Sequence, residues 1–262
     1  MRSAAVAWLL DLYGFKVYTL SGGYKKFRNH VLESFRLPYR FKILGGFTGS
    51  GKTETLNALR QKGIRIIDLE KMAKHKGSAF GSIGMPEQPG QEMFENLLSH
   101  ELRAMSSEKK TETSKASSLG EFGCIWLEDE SKRIGLVNIP NDMWSSMRKS
   151  PVYFLNIPFE KRLQYLIEEY GRLDLQKMIT AIGRISEKLG GENSRNAIQL
   201  LEEGEISESF RILLVYYDKY YLKALHNREN INSLLTTIHC ETVTPENAII
   251  IANQPQYQFE NP

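Results

Sequence analysis

The chain has 262 residues, 41% hydrophobic and 25% charged, the balance of a folded globular protein and not of a disordered or fibrous one. Its 34 Lys and Arg against 31 Asp and Glu leave a net charge of +3, which neither demands nor excludes a nucleic-acid partner. The two cysteines, Cys124 and Cys240, lack CxxC spacing, so no zinc site or disulfide framework is read, and a reducing, cytoplasmic compartment is expected.

Residues 3–14 read as a helix capped by Ser3 and stopped by Gly14, with Ala5, Trp8, Leu9 and Tyr13 as its apolar positions. Residues 4–10 look like a short signal-peptide core. However, Asp11 follows at once and no small-residue cleavage site comes before the next helical pattern, so the stretch is read as a buried helix. Elsewhere no run approaches the ~18 apolar residues of a membrane span, and no membrane partner is expected. Lys16 to Leu20 reads as a short strand, and Tyr24 to Phe35 as a second helix closed by Pro38. Residues 1–38 thus form a helix–strand–helix unit too small to bury a core alone.

Phe41 to Leu44 reads as a strand, and a helix is expected from Gly51 to about Gln61. Ile64 to Leu69 is rich in isoleucine, as a buried parallel strand should be. A loop with Gly and Pro at 77–90 leads to a helix ending near 104, and the polar run 106–120 reads as an exposed flexible loop. Cys124 to Leu127 and Val152 to Ile157 are two more apolar strands. Helical patterns then fill 159–170, 174–189, 193–202 and 206–225. The expectation is an α/β fold: a P-loop NTPase-like parallel sheet over 39–158, followed by a helical subdomain over 159–262.

Chemistry concentrates first in Gly46-Phe47-Thr48-Gly49-Ser50-Gly51-Lys52-Thr53, which fits G-x-x-x-x-G-K-[ST] between a strand and a helix. Glycines such as Gly46, Gly49 and Gly51 let successive backbone N–H groups face one anion, and the helix N-terminus adds positive potential. Lys52 supplies a charge for outer phosphates, while Thr53 offers a hydroxyl to Mg²⁺. The second feature is the acidic end of the strand at 124–127. Glu128, Asp129 and Glu130 compete there to hold Mg²⁺ or a water, and strand alternation aims Glu128 and Glu130 to one side and Asp129 to the other. Asp68 and Glu70 stand at the carboxyl end of the next strand, where a parallel sheet opens its crevice. A helix N-cap explains Asp68 equally well. His75, Ser78 and Phe80 lie in a loop placed over that crevice.

The C-terminal helices interleave Lys161, Arg162, Arg172, Lys177, Arg184, Lys188, Arg195 and Arg211 with Tyr165, Tyr170, Phe210, Tyr216, Tyr217, Tyr220 and Tyr221. Such a mixture suits RNA, but glutamates at 168, 169, 202, 203 and 205 dilute it. By itself the pattern favours packed tyrosines and a solvated charged face.

The runs GFTGSGKTETLNALRQKG, IIDLEKMAKHKGSAFGSIG, QPGQEMFENLL, WLEDESKRIGLVNIP and LLVYYDKYY together resemble bacterial tRNA 2-selenouridine synthases over roughly the whole chain. That family joins a rhodanese-like domain to a P-loop domain. Residues 1–30 resemble the end of the rhodanese-like part. The sequence starts at the MRS of the family's CWRGGMRS loop, so the rhodanese cysteine, and with it the catalytic assignment, is missing. The resemblance implies geranyl transfer from geranyl diphosphate to a tRNA 2-thiouridine, then replacement by selenium from selenophosphate. It implies no tightly bound cofactor, with Mg²⁺ as a candidate, and tRNA and a separate rhodanese-like polypeptide as partners. It carries Gly46, Gly49, Gly51, Lys52 and Thr53 over to phosphate binding, with Ser50 between them. It adds Asp68, Glu70, His75, Ser78 and Phe80 as crevice residues, and Glu128, Glu130, Ser131 and Arg133 at the acidic strand end. It also turns the basic helices toward tRNA. The alternatives are a tRNA- or phosphate-binding module without the chemistry, and a P-loop small-molecule kinase.

Overall fold

A computed structural model describes residues 2–107 and 124–254. The chain begins with α1 (Arg2–Leu12) and α2 (Gly23–Ser34). It then alternates through β1 (Arg40–Gly46), α3 (Lys52–Gln61), β2 (Ile66–Ile67), α4 (Leu69–Ala73), α5 (Gln91–Ser107) and β3 (Cys124–Glu128). A small hairpin of β4 (Arg133–Ile134) and β5 (Val137–Asn138) precedes α6 (Asn141–Arg148) and β6 (Val152–Asn156). Four helices follow: α7 (Phe159–Tyr170), α8 (Leu175–Leu189), α9 (Gly191–Glu202) and α10 (Ile206–His226). The chain closes with α11 (Ile231–Leu234), β7 (Leu235–His239) and α12 (Asn247–Ala252).

The main sheet has the order β2-β3-β1-β6-β7, and every neighbouring pair is parallel. Successive strand residues face opposite sides, so each strand feeds two cores. Ile43, Leu127 and Phe154 face one side with Phe94, Leu98 and Leu102 of α5, Phe35 after α2, and Met143 and Met147 of α6. Leu44, Trp126, Tyr153 and Leu155 face the other side with Leu56 and Leu59 of α3 and Ala248 and Ile251 of α12. A third core lies among α7 to α10, built from Leu163, Leu166, Met178, Ile182, Leu201, Phe210, Leu213 and Leu214. Because β1 is central and β3 and β6 flank it, the loop after β1 opens at the carboxyl edge of the sheet, where α/β folds bind ligands.

Several details differ from the sequence expectation. Lys16 to Leu20 forms no strand, since a strand must bond to a neighbour and no described strand lies beside it. Ser3 lies inside α1 and does not cap it, and α1 is not buried: Trp8 is 67% and Leu12 66% exposed, because none of the cores reaches it. The C-terminal stretch is not wholly helical. β7 extends the sheet beside β6, with Val152 to Asn156 in register with Leu235 to His239. In the polar run at 106–120, residues 106 and 107 complete α5, and 108–120 lie outside the described residues.

Leu127 is fully buried in the central core. Leu127→Ala should cost about 2–5 kcal/mol of stability in urea denaturation, through lost burial and the cavity left behind. A loss near zero would mean that β3 is not a core strand.

Candidate functional site

Gly46 to Lys52 link β1 to α3 as a tight loop. Gly49 shows why glycine is needed. Its φ is 80°, and a Cβ there would lie 2.9 Å from the Arg162 carbonyl oxygen and from Leu166 Cγ. Lys52 folds back over the loop and donates to the Gly46 carbonyl at 3.2 Å. Its Nζ lies 3.6 Å from Glu128 Oε1, and Thr53 Oγ1 donates to Glu128 Oε2 at 3.1 Å. Ser50 is buried beneath the loop beside Gly46, and its Oγ has no partner among the described residues.

Carboxylate oxygens of Glu70, Glu128 and Glu130 all lie within 4.8 Å of one another. The loop after α4 closes on them at Gly77, where φ is 66° and a Cβ would sit 2.6 Å from Glu130 Oε2 and 2.7 Å from Glu70 Oε1. Burial and neighbouring carboxylates push Glu70 up to about 10 and Glu130 up to about 8. Burial also raises Glu128, although Lys52 opposes it. For Lys52, burial works against the ammonium, but Glu128, Glu130 and Glu70 outweigh it and raise the pKa. Hard oxygen donors gathered beside the Thr53 hydroxyl suit a small divalent cation.

Asp129 points elsewhere, as alternation along β3 requires. Its two oxygens accept from Arg228 and, at 2.7 Å, from the Tyr221 hydroxyl. Tyr221 in turn accepts from the Gly46 N–H at 3.1 Å. Asp68 caps α4, accepting from the Lys71 N–H at 2.8 Å, and still borders the cavity. Ser78, Phe80 and Ser131 line the cavity too. His75 does not. It is packed beneath the loop against Gly81 and Gly135, and burial lowers its pKa. Arg133 lies on the exposed hairpin, donating to the Gly135 carbonyl at 2.8 Å, and is not a cavity residue.

The cavity encloses about 690 Å³, within the usual range for small-ligand sites. The loop and carboxylates line it together with an apolar wall of Leu166, Phe210, Leu213 and Leu214, and Leu166 packs directly against the loop at Gly49. Sequence reasoning missed this wall, although Phe210, Leu213, Leu214, Tyr217 and Tyr221 share one face at helical spacing. It also placed Arg162 among basic residues read as a solvated face or, through the family resemblance, as a tRNA surface. Arg162 is in fact 2% exposed, forks onto Asp218 at 2.9 and 2.7 Å, and donates to the Thr48 carbonyl at 3.0 Å. Several C-terminal tyrosines turn inward, in line with the packed-tyrosine reading: Tyr165 donates to Glu54 at 2.7 Å, and Tyr217 accepts from the Ala79 N–H at 3.0 Å.

A central parallel strand, a glycine loop, a lysine and threonine opening α3, and a carboxylate on the adjacent strand define a P-loop α/β protein. More narrowly, the family model described as the tRNA 2-selenouridine synthase AAA domain matches residues 39–238, and the chain belongs to that family. Relatives named tRNA 2-selenouridine synthase share its sequence. The one from Hydrogenovibrio crunogenus is 33% identical over 252 residues, covering 84% of this chain and 65% of the relative. One from Pseudomonas putida strain F1 is 30% identical, covering 78% of this chain and 56% of the relative. One from Azotobacter vinelandii is 34% identical over 174 residues, covering 65% and 42%. The chain therefore spans less than two thirds of the length of these relatives.

Two outcomes follow from this geometry. Tyr221→Phe removes the acceptor for the Gly46 N–H, which should cost about 1–3 kcal/mol at the loop. Calorimetric affinity for inorganic diphosphate should drop about tenfold, and an unchanged affinity would show that Tyr221 does not shape the cradle. The carboxyls Glu70 and Glu130 have folded pKa values above the ordinary 4.5. Their contribution to stability is full below that value and is lost as pH rises through about 8 and then about 10. Urea denaturation should find the wild type losing more stability on alkalinisation than Glu130→Gln, which cannot titrate there. Parallel pH curves would refute the raised pKa.

Proposed function

We propose that this chain is the phosphate-handling half of an enzyme that converts 2-thiouridine in tRNA to 2-selenouridine. The observation that carries the reading is a phosphate-binding loop and an apolar wall lining one cavity. The apolar lining of Leu166, Phe210, Leu213 and Leu214 suits the hydrocarbon tail of a prenyl diphosphate, while the loop suits its anionic head. Membership of the synthase family supports the tRNA substrate.

In the first step the thiouridine sulfur attacks C1 of geranyl diphosphate. The C–O bond breaks, and diphosphate leaves with the electron pair. Lys52 and the amides at the start of α3 stabilise that departing charge. In the second step the selenium of selenophosphate attacks C2 of the base, the C2–S bond breaks and the S-geranyl group leaves as geranylthiol with the selenophosphate proton. Water then cleaves the Se–P bond, phosphate leaves, and the base keeps selenium and regains its N3 proton. Thr53, Glu128 and Glu130, with Glu70 beside them, would hold Mg²⁺, which would offset the diphosphate charge. Asp68, Ser78 and Phe80 border the bound donor. A rhodanese-like unit, on the same or a separate polypeptide, and a cytoplasmic location belong to the same proposal.

Lys52→Ala should reduce S-geranylation of thiolated tRNA more than about 100-fold, read by mass spectrometry of digested tRNA. Undiminished transfer would remove the P-loop as the donor site.

A further inference from the structure

The cavity runs along α10 from Phe210 to Leu225, both of which line it. Fifteen residues of helix span roughly 22 Å, longer than a prenyl chain and its diphosphate require together. The phosphate loop meets this helix at Tyr221, which accepts from the Gly46 N–H, one turn beyond Tyr217, which accepts from the Ala79 N–H of the loop after α4. On one side of that point lies the apolar wall. On the other side the lining changes character to Trp144 and Arg148 of α6, Lys132 ahead of the β4–β5 hairpin, and Ala224.

Trp144 is only partly buried, and the Arg148 guanidinium lies over its ring, 5.8 Å from the centroid. Arg148 donates to the Ala224 carbonyl at 3.0 Å and makes no ion pair among the described residues. The nearby carboxylate, Asp129, is committed to Arg228 and Tyr221. Lys132 is exposed and held beside the start of α6, its carbonyl accepting from the Ile139 N–H at 2.8 Å. An indole face, a guanidinium with no direct ion pair among the described residues and an exposed ammonium are the elements that hold an extruded base and its flanking phosphodiester.

We propose that Trp144, Arg148 and Lys132 form the acceptor-base subsite: the thiolated uracil stacks on Trp144, and Arg148 and Lys132 engage the adjoining phosphates. The inference rests on the tRNA-modifying reading and adds where the RNA enters. It sets the two substrates at opposite ends of α10, with the base and the prenyl carbon meeting at the phosphate loop. An acceptor bound there would leave the apolar wall open to the donor.

The test uses the full chain and two probes, an anticodon stem-loop RNA bearing 2-thiouridine and geranyl diphosphate. Arg148→Gln keeps a donor for the Ala224 carbonyl, and Trp144→Phe keeps most of the packing against the core. Arg148→Gln should weaken RNA binding about tenfold and Trp144→Phe a few-fold. Geranyl diphosphate affinity and the melting temperature should stay at wild-type values in both. RNA affinity unchanged in both variants overturns the subsite while leaving the tRNA reading intact. Equal losses for both probes overturn it as well, since they would mark a general disturbance of the cavity. A wild-type chain that does not hold the RNA at all defeats the tRNA reading itself, and the subsite with it.

Discussion

The phosphate loop depends on two backbone groups that it cannot satisfy by itself. The Gly46 N–H and the Thr48 carbonyl are turned away from the anion site, toward the helical layer. One is met by the Tyr221 hydroxyl and the other by the Arg162 guanidinium, which Asp218 holds in a fork. A buried backbone group left without a partner costs about 1–3 kcal/mol, so the loop conformation is set from α7 and α10 as much as from its own glycines. Asp218 and Tyr221 stand three residues apart on one face of α10. The helical layer is therefore part of the binding loop's structure, and it supplies the apolar wall of the same cavity.

Electrostatics impose the next constraint. One ammonium, Lys52, faces Glu70, Glu128 and Glu130. It cannot balance three ionised carboxylates, and burial makes the excess charge expensive. Protons relieve it, as the raised pKa values of Glu70 and Glu130 indicate, and a divalent cation would relieve it more fully. A diphosphate entering such a site adds further negative charge. On the proposed reading, its binding would be tied to the protonation or metal occupancy of these carboxylates.

Features fixed by local pattern are legible in the amino-acid sequence. Four strands declare themselves by apolar runs, β1 ending in glycine, β2 and β3 in acids, and β6 leading into Pro158. The loop declares itself by spacing, and the separation of Asp129 from Glu128 and Glu130 follows from period-two geometry. Features made by distant segments are not legible in this way. Nothing near Arg162 in sequence points to Asp218 or Thr48, and a basic residue on an amphipathic helix looks like a solvated charge. β7 carries Thr236, Thr237 and His239 and lacks the strong apolar run of its neighbours, since it pairs only at the sheet edge. His75 resembles a crevice residue because its neighbours are. The turn that brings Gly77 onto Glu130 instead leaves the imidazole packed against Gly81.

One helix thus touches every part of the site. α10 supplies the hydrocarbon wall through Phe210, Leu213 and Leu214, bonds the loop over the carboxylates through Tyr217, and fixes the phosphate loop through Asp218 and Tyr221. A ligand that presses on the wall also loads the struts that hold the loop. Binding linkage is reciprocal: if a hydrocarbon tail favours one setting of α10, a diphosphate in the cradle favours the same setting by the same free energy. A donor carrying both groups gains from that agreement, whereas inorganic diphosphate does not. On the proposed reading, the shared helix gives the loop a means to prefer a phosphate attached to a hydrocarbon chain.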